Sequence, residues 1–108
     1  MDDVDVTEAA RAVEAGEVLL LDVREDDEWA AGRAPGALHV PMHTLRQDTL
    51  PRDRPVYALC RVGGRSAAVA EALASIGYEA ANVTGGMQAW VAAGLPVVRD
   101  EGAPGRVV

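Results

Sequence analysis

The chain has 108 residues, 49% hydrophobic and 25% charged, a balance that fits one soluble domain with a real core and argues against a disordered chain. A net charge of −7 argues against a general nucleic-acid binder, which needs a basic surface, and no apolar run approaches the roughly 18 residues of a membrane span. All ten basic residues are arginine, so any anion site must be built from guanidinium groups and backbone N–H.

The N-terminal run Met1-Asp2-Asp3-Val4-Asp5 is acidic, the opposite of a secretory signal. Asp5 and Glu8 form a helix-capping pair, and Val6, Ala10 and Val13 follow at helical spacing up to a stop at Gly16. Val18 to Leu21 is a continuous apolar run, as in a strand buried on both faces of a parallel sheet. Asp22-Val23-Arg24 leads out of it into a short helix over Glu25 to Ala31, ended at Gly32. After the turn Ala34-Pro35-Gly36, a short strand over Ala37 to Val40 is stopped by Pro41. Residues 42–54 are polar and proline-flanked, a short helical piece and a loop.

Val56 to Leu59 is the next buried strand. From Arg65 the pattern is helical, with Val69, Leu73 and Ile76 on one face and Gly77 at the end. Ala80 to Val83 is a last strand, and Gly85-Gly86 opens a helix through Ala93, closed by Gly94. Residues 99–108 carry glycine, proline and charge and read as a flexible C-terminal tail after a domain spanning 1–98. Strands alternating with helices predict an α/β fold with a central parallel sheet covered by helices on both faces.

The only cysteine, Cys60, falls at the exit of a strand, where ligands bind in such sheets. The run Cys60-Arg61-Val62-Gly63-Gly64-Arg65-Ser66 places it in a glycine turn between two arginines, just before a helix. A thiolate is the reactive form of cysteine, and arginines and helix N-termini favour it. Inward N–H groups of residues 61–65 and the helix dipole would make an anion cradle, within a substrate-binding loop of Arg61, Val62, Gly63, Gly64, Arg65 and Ser66. One cysteine makes no internal disulfide, which agrees with a reducing cytoplasm. The competing view of Cys60 is an inert packing residue.

Three stretches, in order, resemble the signatures of rhodanese domains. They are Leu20 to Glu25 with Glu28-Trp29 and Gly32 to Ala37, then Cys60 to Ser66, then Asn82 to Trp90 with Gly94 to Val97. The resemblance implies a single-domain sulfurtransferase of the rhodanese three-layer fold, with Cys60 carrying sulfane sulfur as a persulfide and no other cofactor. It implies a small sulfur donor such as thiosulfate or a thiol persulfide, an acceptor such as cyanide, a thiol or a protein, and no nucleic-acid or membrane partner. Two positions depart from the family pattern: Arg33 replaces a common histidine, and Val62 replaces a small or polar loop residue.

Arg65 is expected to close the loop and face the anion, and Arg61 to point outward toward an incoming donor. Four residues separate Cys60 from Arg65, where related phosphatases have five, so phosphatase or arsenate reductase chemistry ranks below sulfur transfer. The other alternative is a reactive Cys60 without turnover, a persulfide carrier or protein-binding module. Asp22, Arg24 and Glu28 are expected to supply an internal ion pair bracing the active-site side, Asp–Arg or Arg–Glu. Trp29 and Trp90 read as core or groove-lining aromatics. His39 and His43 are four apart, but Pro41 interrupts any helix between them, and no metal site is expected.

Overall fold

The computed structural model describes residues 3–108; the first two residues of the acidic N-terminal run lie outside the described residues. Four parallel strands, β1 (Leu19–Asp22), β2 (Leu38–His39), β3 (Val56–Leu59) and β4 (Ala80–Asn82), lie in the order β2-β1-β3-β4. Helices α1 (Val6–Glu14), α2 (Asp26–Ala31), α3 (Gly64–Ser75) and α4 (Gly86–Ala92) connect and cover them. Every residue of β1 and β3 is buried, which explains why their apolar runs do not alternate with polar residues.

Alternation instead divides each strand between two apolar layers. Leu20, Tyr57, Leu59 and Ala81 pack with Val6, Ala9 and Ala12 of α1 and with Met87 and Trp90 of α4. Leu19, Leu21, Val56, Ala58, Ala80 and Cys60 pack with Val69, Ala70 and Leu73 of α3. Trp90 is a core aromatic whose indole N–H donates to the Pro96 carbonyl at 2.8 Å. The register Asp22↔Leu59 and Ala58↔Asn82 brings the carboxyl ends of β1, β3 and β4 together around Cys60.

The capping reading of the first helix holds: the Asp5 carboxylate accepts from the Glu8 N–H at 2.8 Å. Two sequence expectations need correction. Ile76 is 41% exposed, because α3 ends at Ser75 and the chain turns through Gly77 before the face can continue. Residues 99–108 are tied down by backbone pairing. Arg33 and Val98 exchange hydrogen bonds at 2.8 and 2.9 Å, Gly105 N–H donates to the Val97 carbonyl, and Arg106 N–H donates to the Ala31 carbonyl. A turn at Asp100–Gly102 lets Arg99 and Ala103 pair, and Arg33 meets Asp100 at 2.6 Å. The segment therefore caps the C-terminal end of α2. Among the described residues no helix is long and apolar enough to cross a membrane.

Candidate active site

Cys60 leaves β3 and is 1% exposed. The chain reverses at Gly63, whose φ of 109° suits a residue without Cβ, and α3 starts at Gly64. This reversal aims three donors at the sulfur. Gly63 N–H lies 3.1 Å from Sγ, Ser66 N–H 3.4 Å, and the Ser66 hydroxyl oxygen 3.2 Å. Burial pushes the Cys60 thiol up, but bonds from the Ser66 hydroxyl and N–H, the Gly63 N–H and the Val62 N–H outweigh it and leave the thiol below its usual value. Within the expected loop of Arg61 to Ser66, the contacts to the sulfur come from Gly63 and Ser66. The strongest member is Ser66, whereas Arg61, Gly64 and Arg65 make no hydrogen bond to the sulfur among the described residues.

Arg65 makes no hydrogen bond to the sulfur among the described residues, although the Cys60 charge is among the causes that raise its guanidinium. Both arms of its guanidinium meet Glu28 of α2, at 2.7 and 2.9 Å, in a fork-on-fork pair. Arg65 holds the Glu28 carboxyl well down, to about 2, although partial burial opposes the shift. Glu28 in turn raises the Arg65 guanidinium. Arg65 is therefore a brace between α2 and the first turn of α3. Arg61 and Val62 are exposed at the loop's tip, Val62 by 53%.

The second expected brace exists as Asp22 with Arg24, both wholly buried. Arg24 donates from Nε and Nη2 to the carboxylate at 2.8 to 3.0 Å, and Nη2 also donates to the Gly32 carbonyl at 2.8 Å. The pair ties the end of α2 to the end of β1, and Asp22 is fully engaged as an acceptor rather than set up as a base. Glu28 pairs with Arg65 instead of Arg24. His39 stacks on Trp29, with ring centroids 4.6 Å apart, and Arg33 covers Trp29 at 4.7 Å. The replacement at Arg33 thus acts on local packing and on Asp100. His43 faces Glu25 at 3.4 Å, apart from the His39 stack.

One residue near the sulfur had no role assigned from sequence. Asn82, 7% exposed at the end of β4, accepts from the Ser66 hydroxyl at 2.6 Å. The signal was present: a polar residue closing a short buried strand next to the strand that carries the nucleophile.

The floor of the site comes from α4. Met87 N–H donates to the Cys60 carbonyl at 2.8 Å and Gln88 N–H to the Arg61 carbonyl at 3.0 Å. A Cβ on Gly86 would collide with the Cys60 carbonyl oxygen and with Arg61 backbone atoms, so only glycine lets the two turns approach this closely.

Comparison with known proteins gives one family. Residues 5–93 match the rhodanese-like domain model. A sulfurtransferase of Allochromatium vinosum is 41% identical over 95 residues, covering 85% of this chain and 89% of its own. A thiosulfate sulfurtransferase of Tolumonas auensis is 33% identical over 90 residues, covering 81% and 85%. The crystal structure of a rhodanese-related protein from Thermoplasma volcanium superposes with a TM-score of 0.83 at 30% identity, covering 91% of this chain and 98% of that one.

Proposed function

The chain belongs to the rhodanese-like domain family, and from that premise we propose that it is a sulfurtransferase that carries sulfane sulfur on Cys60. The observation that carries this reading is the convergence of the Gly63 and Ser66 donors on a single buried thiol. Ionised Cys60 attacks the outer sulfur of thiosulfate. The sulfur–sulfur bond breaks, sulfite leaves with its electron pair, and Cys60 keeps the outer sulfur as an anionic persulfide. An acceptor nucleophile then attacks that outer sulfur and restores the thiolate, which makes the reaction a double displacement with ping-pong kinetics. Cyanide is the acceptor in an assay; a small thiol or a protein thiol serves as acceptor in a cell, where we place the protein in the cytoplasm.

Amide and hydroxyl dipoles hold the charge in both states, since the sulfur is anionic before and after loading. The N–H groups of Gly64 and Arg65, which have no acceptor among the described residues, are available to the outer sulfur. The occupied guanidinium of Arg65 weighs against phosphatase chemistry, where a tetrahedral oxyanion would need it. Exposed Arg61 is free to meet the anionic donor. The thiosulfate sulfurtransferase of Tolumonas auensis supports thiosulfate as the first donor to test.

Incubation with thiosulfate is expected to add one sulfur atom to the intact protein mass. Cyanide should remove it, and Cys60→Ser should never acquire it. A wild-type protein that takes sulfur from neither thiosulfate nor a thiol persulfide contradicts the proposal and leaves a binding module. Hydrolysis of aryl phosphates would contradict it from the other side.

A further inference from the structure

The Ser66 hydroxyl owns one hydrogen but stands within reach of two acceptors, Cys60 Sγ at 3.2 Å and the Asn82 carbonyl oxygen at 2.6 Å. Both contacts are buried, and Ser66 itself is wholly buried. The hydrogen cannot serve both at once. While Cys60 is a thiol, its S–H can donate to the Ser66 oxygen, and the Ser66 hydrogen then goes to Asn82. Once the sulfur is an anion it has no hydrogen to give and must receive the one on Ser66. The Asn82 carbonyl oxygen and the Ser66 oxygen would then face each other with no hydrogen between them.

Asparagine can resolve that conflict where aspartate or an apolar side chain cannot. Its carboxamide has an acceptor and a donor of nearly the same shape, and a half-turn about the last side-chain bond exchanges them. Among the described residues the Asn82 amide nitrogen makes no hydrogen bond, so turning it breaks no second contact. A Cβ on Gly63 would lie 3.6 Å from that nitrogen, an ordinary contact distance, so the amide lies against the same loop that holds the sulfur.

We propose that Asn82 is a positioning residue for sulfur transfer, whose carboxamide turns with the charge on Cys60: it accepts from Ser66 when the sulfur is a thiol and donates to Ser66 when the sulfur is a thiolate or persulfide. Asn82 touches no reacting atom and acts through Ser66 alone. The inference rests on Cys60 as the sulfur carrier. Neither of its tests reads turnover, so a protein that fails to transfer sulfur still answers the question.

The first test is a double-mutant cycle on the rate of Cys60 alkylation by iodoacetamide across pH. Asn82→Ala is expected to slow alkylation at neutral pH about threefold and to move its midpoint up, as befits part of one hydrogen bond to a charged group. In a Ser66→Ala background the same substitution should change neither quantity. An equal effect in both backgrounds, or none in the wild type, overturns the proposal. The second test needs no variant. In isotopically labelled wild-type protein, the side-chain amide resonances of Asn82 should move with the Cys60 midpoint. Resonances that stay fixed through that midpoint overturn it as well.

Discussion

The molecule makes the same corner twice, and only one of the two has a cysteine at its focus. At the end of β3 and at the end of β4 the chain turns through a glycine of positive φ, Gly63 at 109° and Gly85 at 78°, straight into a helix. Each corner points helix N–H groups back toward the strand end. At the first, the donors of Gly63 and Ser66 meet the Cys60 sulfur. At the second, the donors of Met87 and Gln88 meet backbone carbonyls of the first corner. One helix N-terminus thus faces the Cys60 sulfur, while the other serves as scaffolding beneath it. A parallel sheet with glycine corners supplies the donors; the residue at their focus decides what they do.

Breaking the contact between the corners should have the largest effect. Gly86→Ala places a methyl group against the Cys60 and Arg61 backbone at a φ of 56°. A cost of at least ~2 kcal/mol is expected in denaturant unfolding, from steric displacement and backbone strain together. The Cys60 alkylation midpoint should rise toward that of free cysteine, because the loop is pushed off its floor. A variant that loses stability but keeps the acid thiol would show that the second corner supports the fold and not the site.

A smaller effect separates the corners by pH. The first is braced in front by Glu28 and Arg65, an ion pair with no counterpart at the second among the described residues. The folded-state carboxyl of Glu28 sits at about 2, below the usual carboxylate value of 4.5. Its stabilisation is therefore complete above the unfolded value and is lost as pH falls from about 5 toward 2. Glu28→Gln should cost about 0.5–1 kcal/mol at neutral pH, since Arg65 is partly exposed and solvent screens the pair. The difference from wild type should vanish near the bottom of that window. A cost that persists unchanged in acid would mean that packing, not charge, joins α2 to the loop.

How much of this was legible in the sequence follows the range of each interaction. Val18 to Leu21 and Val56 to Leu59 declared themselves as buried strands because both faces are covered, and the glycine turn after Cys60 was local to the chain. The partner of Arg65 was not foreseen because Glu28 lies 37 residues away, and no local pattern pairs them. Asn82 went unassigned for the same reason: its contact with Ser66 spans 16 residues and depends on β4 lying beside β3. The last ten residues have the composition of a tail, yet they are held by backbone carbonyls and amides that composition does not reveal. Arg33 shows the reverse case, a departure noted in sequence whose reason is the stack on Trp29 and the contact with Asp100.

Neutral donors lower the Cys60 thiol against the opposing effect of burial. The direct measurement is the pH dependence of Cys60 alkylation in the native protein, compared with the same protein unfolded in denaturant. The native midpoint is expected to lie below that of the unfolded chain. A native midpoint equal to or above the unfolded one would mean that burial defeats the converging donors, and would contradict that expectation.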